Sequence, residues 1–196
     1  MSRFAVLFWT ALALTLTGGC ASSPATKFYT LSSAEVIRQP LNVQTITIDA
    51  VSVPELIDRP QIVSTTDATR VSIDEFARWA EPLKRQIGRV LASDLTQSFP
   101  GVMVSAYPQR AAGNACRVSV DVQSLKSASL GPAMLTAIWT VKPSERQDAV
   151  RGRTVAQERV SGPGYEVIVN AYSRAIATMA NDIATAAKVC TQQTPP

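Results

Sequence analysis

The stretch YEVIVNAYSRAIATMANDIATAAKVC, Tyr165 to Cys190, decides the fold. Tyr165, Ile168, Tyr172, Ile176, Met179, Ile183, Ala187 and Cys190 recur at steps of three and four. That spacing is one face of a helix, here about 25 residues long. Gly162-Pro163-Gly164 just before it reads as a strand-to-helix turn; it lacks the Lys-Ser/Thr continuation of a phosphate loop. Working back from this helix, the period falls to two. Arg153 to Ser161 alternates, Met134 to Lys142 is apolar, Cys116 to Leu125 alternates, and Val102 to Tyr107 is short and β-rich. Four strands are expected there.

Further upstream a second helical stripe runs through Phe76, Ala80, Leu83, Ile87, Leu91 and Leu95, stopped by Pro100-Gly101. Asp74 is the expected N-cap, and Asp74, Glu75 and Glu81 read as capping and helix-dipole groups. Pro82 lies inside this stripe, so either it kinks the helix or the helix starts near Glu81 with the proline in its first turn. Arg78, Lys84, Arg85 and Arg89 would then form a solvated basic face. Before this helix, Phe28 to Leu31 and Val43 to Val51 read as strands. Pro54 to Pro60 reads as a turn, and Gln61 to Thr65 with Arg70 to Ile73 as a hairpin. The order β-β-β-β-α-β-β-β-β-α defines an α+β single domain with two main helices on a mixed or mainly antiparallel sheet. No internal repeat is visible.

The N-terminus has a different character. Arg3 precedes a thirteen-residue apolar run, Phe4 to Leu16, and small residues lead into Cys20. Charged start, short apolar centre and small-residue end are the layout of a secretory signal peptide; a membrane-spanning helix needs about 20 apolar residues. LTGGC, Leu16 to Cys20, resembles the lipobox of bacterial lipoproteins, except that Thr17 holds the place usually given to Leu. The expected organisation is a signal peptide over 1–19, lipidated Cys20 and a tether over 20–26, the folded domain over 27–190, and a disordered tail over 191–196. Six small polar residues after Cys20 reach at most about 20 Å, which keeps the domain close to the membrane. Ala21, rather than Asp, after the cysteine favours the outer membrane of a Gram-negative bacterium, facing the periplasm.

Composition narrows the function. The 196 residues include no histidine, which removes Ser-His-Asp and Cys-His catalysis and the commonest metal ligand. Three cysteines without a CxxC spacing argue against a zinc site. A net charge of +4, with no Lys/Arg run longer than two, does not suit nucleic acid. The expectation is a non-enzymatic protein with no cofactor and no metal. Once Cys20 is acylated, Cys116 and Cys190 remain as a pair in an oxidising compartment, and a disulfide between them is favoured over two free thiols.

Two segments stand apart from these patterns. VPELIDRPQIV (Val53 to Val63) packs two prolines, an arginine and apolar residues into a loop and strand edge. FARWAEPL (Phe76 to Leu83) sets Trp79 between charged neighbours. Arg59, Pro60, Gln61, Arg78, Trp79 and Glu81 are the candidate partner-binding residues. The competing account is internal: Arg59 pairs with Glu81 or Asp58, and Trp79 fills the core, the reading that composition favours.

LIDRPQIV (Leu56 to Val63), RWAEPL (Arg78 to Leu83) and the strand KFYTL (Lys27 to Leu31) resemble the family of ABC-type transport auxiliary lipoproteins, over essentially the whole mature chain. The resemblance implies an outer-membrane lipoprotein subunit of an MCE-type intermembrane lipid transport system. Its partners would be a periplasmic MCE-domain protein with an inner-membrane permease, and the membrane itself through the acyl chains on Cys20. Homo-oligomerisation stays open. The alternative is a periplasmic carrier lipoprotein with its own acyl-chain cavity between sheet and C-terminal helix.

Overall fold

Pro82 settles where the first helix can begin. A proline inside a helix lacks the N–H of the ladder and its ring collides with the carbonyl four residues back, and the residue before it avoids the helical region. In the computed structural model, which describes residues 24–106, 115–127, 131–143 and 148–191, the helix α1 accordingly runs Leu83–Ser98 with Pro82 as its N-cap. The residues before it form a strand, Val71–Trp79. The helix expected from Asp74 is therefore corrected, and the late start is the outcome that holds. Asp74 caps nothing. Its carboxylate accepts the Phe76 amide at 2.8 Å inside an irregularity of the strand. The first turn of α1 holds no acidic residue, and Arg78 belongs to the strand rather than to a helical basic face.

Among the described residues, eight strands and two helices follow the expected order. The strands are β1 (Lys27–Tyr29), β2 (Thr45–Ser52), β3 (Gln61–Thr65), β4 (Val71–Trp79), β5 (Met103–Ser105), β6 (Ala115–Ser127), β7 (Ala133–Lys142) and β8 (Val150–Glu158). The second helix, α2, is Tyr165–Ala186, tightening into a 3₁₀ turn over Ala187–Thr191. Its N-cap Gly164 has φ +101°, a conformation that suits glycine. The strands divide into two sheets rather than one. A three-stranded sheet has the order β1-β4-β3, and a five-stranded sheet the order β5-β2-β6-β7-β8. Both are mixed: β1 runs parallel to β4, and β5 and β6 run parallel to β2, while the remaining pairs are antiparallel.

The core lies between the five-stranded sheet and the helices. Alternation in β6 and β7 turns Val118, Val120, Val122, Leu135, Ala137 and Val141 inward. Against them pack Ile87, Leu91 and Leu95 of α1 and Ile176, Met179 and Ile183 of α2, all fully buried. The space in which an acyl-chain cavity was envisaged is thus occupied by protein side chains. Tyr172, 2% exposed, donates its hydroxyl to Ser127 at 3.1 Å. Trp139 lies flat over Gly152 of the neighbouring strand and donates its indole N–H to Thr154, which donates in turn to Asp182 of α2. A disulfide joins Cys116 at the start of β6 to Cys190 beyond α2, with Cα atoms 5.8 Å apart.

The segment 30–44, without regular structure, straps the two sheets together across both helices. Helix side chains hold its backbone: Leu31 N–H on Gln86, Ser32 on Ser173, Ala34 on Asp94 and Ile37 on Asn181. Among the described residues no helix is long and apolar enough to cross a membrane. The expected signal peptide, Cys20, the first residues of the tether and nearly all of the tail lie outside the described residues.

Candidate functional site

The two unusual segments meet in space. Pro54 to Pro60 forms a helical turn, with the amides of Ile57 and Asp58 on the Pro54 carbonyl. Ile57 is buried as its foot. The chain then enters β3, and the Pro60 carbonyl accepts the Trp79 amide at 2.7 Å. This one bond sets the Asp58-Arg59-Pro60 corner against the end of β4 and the approach to α1. Between them opens a cleft of about 440 Å³, walled on one side by Asp58, Arg59 and Pro60 and on the other by Trp79 to Pro82 and Lys84.

Prolines at both lips stiffen the cleft, since their φ is already fixed. From beneath, Gln86, with no exposed surface, donates to the Glu81 carbonyl at 2.9 Å and accepts the Leu31 amide at 2.7 Å. Trp79 is buried, so the core reading of this residue is what the structure has, with part of the side chain reaching the cleft wall.

The charges of the rim are paired in a way the sequence did not suggest. Asp58 takes Lys84 at 3.0 Å, and Glu81 takes Arg89 at 3.2 Å. Neither takes Arg59, so the competing account, in which that residue pairs with Glu81 or Asp58, is not what the structure has. The Nε of Arg59 is buried and has no hydrogen-bond partner among the described residues. Nearby cations have already claimed both carboxylates that could have reached it.

Of the six candidate residues, Arg59, Pro60, Trp79 and Glu81 line the cleft. Gln61 and Arg78 do not. They stand opposite one another across β3 and β4, on the sheet face turned away from the helices, both bonded to Glu75 at 3.0 and 3.2 Å. Sequence reading missed Lys84, which both lines the cleft and neutralises Asp58. Its basic neighbours made it look like one more solvated helix residue.

A second polar centre lies under the strap. Asp94 of α1 accepts the Ser33 hydroxyl and the Ala34 amide, but its Oδ2 is buried without a partner. Burial pushes its carboxyl up to about 6, against these two bonds. A third cluster joins the small sheet to the start of α2, where the Tyr29 and Tyr165 rings lie 5.8 Å apart. Tyr29 donates to Glu166, and burial followed by the Glu166 charge raises its hydroxyl above the usual range. These groups tie structure together and present no catalytic arrangement of nucleophile and base.

Two solved structures share the mixed α+β fold. One, described only as an uncharacterized protein, superposes with a TM-score of 0.70 at 18% identity, covering 83% of this chain and 98% of that one. The other, protein XCC0632 from Xanthomonas campestris, of the DUF330 family, gives 0.63 at 15% identity, covering 86% and 98%. No curated protein matches the chain. Residues 29–184 match the model of the ABC-type transport auxiliary lipoprotein component, and the chain belongs to that family.

Proposed function

We propose that this protein is a non-enzymatic, lipid-anchored subunit that docks the periplasmic tunnel of an MCE-type lipid transport system at the outer membrane. Its membership in a transport auxiliary family supports the transport role. Cys20, by the lipobox-like LTGGC, carries the anchor, and Ala21 after it favours the outer membrane. The observation that carries the docking role is the cleft in which the two unusual segments meet around an unpaired arginine.

Chemically, the cleft suits a peptide segment of the MCE-domain partner rather than a reactant. A planar guanidinium whose Nε is dry and unbonded calls for an acceptor, a carboxylate or a carbonyl, supplied from outside. The proline lips and the Trp79 surface offer apolar contact that is already ordered, so little conformational entropy is lost on binding. A carrier with its own acyl cavity is less well supported, because fully buried Leu135, Ile176 and Met179 occupy the space it would need.

The test is capture from membranes. Lipoprotein extracted from its own membranes should bring down an MCE-domain protein and its permease, and Cys20→Ser should move the protein into the soluble periplasmic fraction or leave an uncleaved precursor. Extraction without any MCE-domain protein, or a processed and membrane-bound Cys20→Ser variant, contradicts the proposal.

A further inference from the structure

Register divides the residues of the three-stranded sheet between two faces. Ser64 and Ser72 face each other, as do Ile62 and Asp74, while Lys27 and Tyr29 oppose Ala77 and Trp79. These belong to the inner face: the Tyr165 hydroxyl of α2 lies beside Ser64 and Asp74, and Tyr29 donates to Glu166. The other face carries Thr65 with Val71, Val63 with Ile73, and Gln61 with Arg78, which is also opposite Phe28. No helix covers it. Phe28 is 66% exposed there, and Val71 and Ile73 on β4 are 43% and 38% exposed. The outward face thus gathers exposed Phe28, Val71 and Ile73 beside the ion pair of Glu75 and Arg78.

The course of the chain says what covers this face. β1 is parallel to β4 and begins at Lys27 beside Ala77, so residues ahead of Lys27 approach from the Val71 end of the sheet. Cys20 precedes Lys27 by seven residues, and the intervening six span at most about 20 Å. We infer that the outward face of the three-stranded sheet seats on the lipid bilayer, with Phe28 and Val71 entering the headgroup boundary. The inference rests on the anchor at Cys20 proposed above.

An acyl anchor supplies the affinity; a shallow apolar face at the boundary fixes orientation.

The experiment uses the full lipoprotein in phosphatidylethanolamine–phosphatidylglycerol vesicles. With Cys20 acylated and Cys116 bridged to Cys190, a cysteine introduced by Phe28→Cys or, independently, Val71→Cys takes an environment-sensitive nitrobenzoxadiazole label. Val155→Cys, on the far sheet and 56% exposed in the parent, is the reference. Labels at 28 and 71 should shift to the blue in vesicles and be quenched by nitroxide-bearing lipid, while the label at 155 stays wet. Co-flotation with vesicles but water-like emission at 28 and 71 overturns the seating and leaves the anchor standing. Failure to co-float overturns both. A blue shift that needs no vesicles and grows with protein concentration assigns the face to a second copy and also overturns the inference.

Discussion

The two sheets of this protein are built to opposite ends. The five-stranded sheet hides one face under two helices, fastens β6 to the end of α2 through a disulfide, and locks β7 to β8 through a tryptophan over a glycine. The three-stranded sheet is short, irregular where β4 bulges against β3, and open on one face. One gives the domain its stability; the other holds the cleft, the exposed phenylalanines and the unpaired arginine. The contrast teaches that this small sheet is a platform for contacts, held in place by α2 and the strap rather than by a core of its own.

Changes in the five-stranded sheet should therefore be costly. Replacing Cys116 and Cys190 by alanine opens a covalent loop of 74 residues and should lower unfolding free energy by about 2–5 kcal/mol, read as an earlier urea midpoint. A second change strikes the same sheet. A Cβ on Gly152 would come within 2.2 Å of the Trp139 ring, whose rigid atoms cannot step aside. Gly152→Val should cost about 3 kcal/mol, the upper range for overpacking. Wild-type stability in either variant would erase the distinction between the two sheets.

How far the sequence revealed this contrast depends on which residues one asks about. The helix from Tyr165 was plain because its stripe meets one continuous core, so period and burial coincide. The start of α1 is ambiguous in the sequence because Phe76 and Ala80 continue the helical spacing by accident. Both lie before the proline, Phe76 is exposed, and only Pro82 carried the correct signal. That the strands form two sheets was not legible, because strap 30–44 has no period of its own and is placed by Gln86, Ser173 and Asn181, distant in sequence. At the site, composition marked Arg59 and Trp79 as unusual. It left Lys84 hidden, and the separation of Gln61 and Arg78 from the cleft follows from strand register, which a single sequence does not display.

The strap sharpens the comparison through pH. Asp94, raised to about 6 by burial, binds its proton more tightly in the folded state than the ordinary value of 3.8 allows when unfolded. Its contribution is thus fully present below about pH 4 and is lost as pH rises through 6. Asp94→Asn should stabilise the protein at pH 7.5 by something on the order of 2 kcal/mol, after allowance for partial solvent access. It should make no such difference at pH 4. Equal stability differences at the two pH values would show that the buried Oδ2 does not govern the strap.

The most direct test of the account concerns Arg59. Its guanidinium belongs to no ion pair among the described residues, so Arg59→Ala should change the melting temperature by no more than a degree or two. The same substitution should abolish co-purification of the MCE-domain protein from membranes, whereas Arg78→Ala, which breaks only the exposed contact with Glu75, should weaken capture less. A large fall in melting temperature for Arg59→Ala, or undiminished capture of the partner, would contradict the claim that this cleft is the docking site.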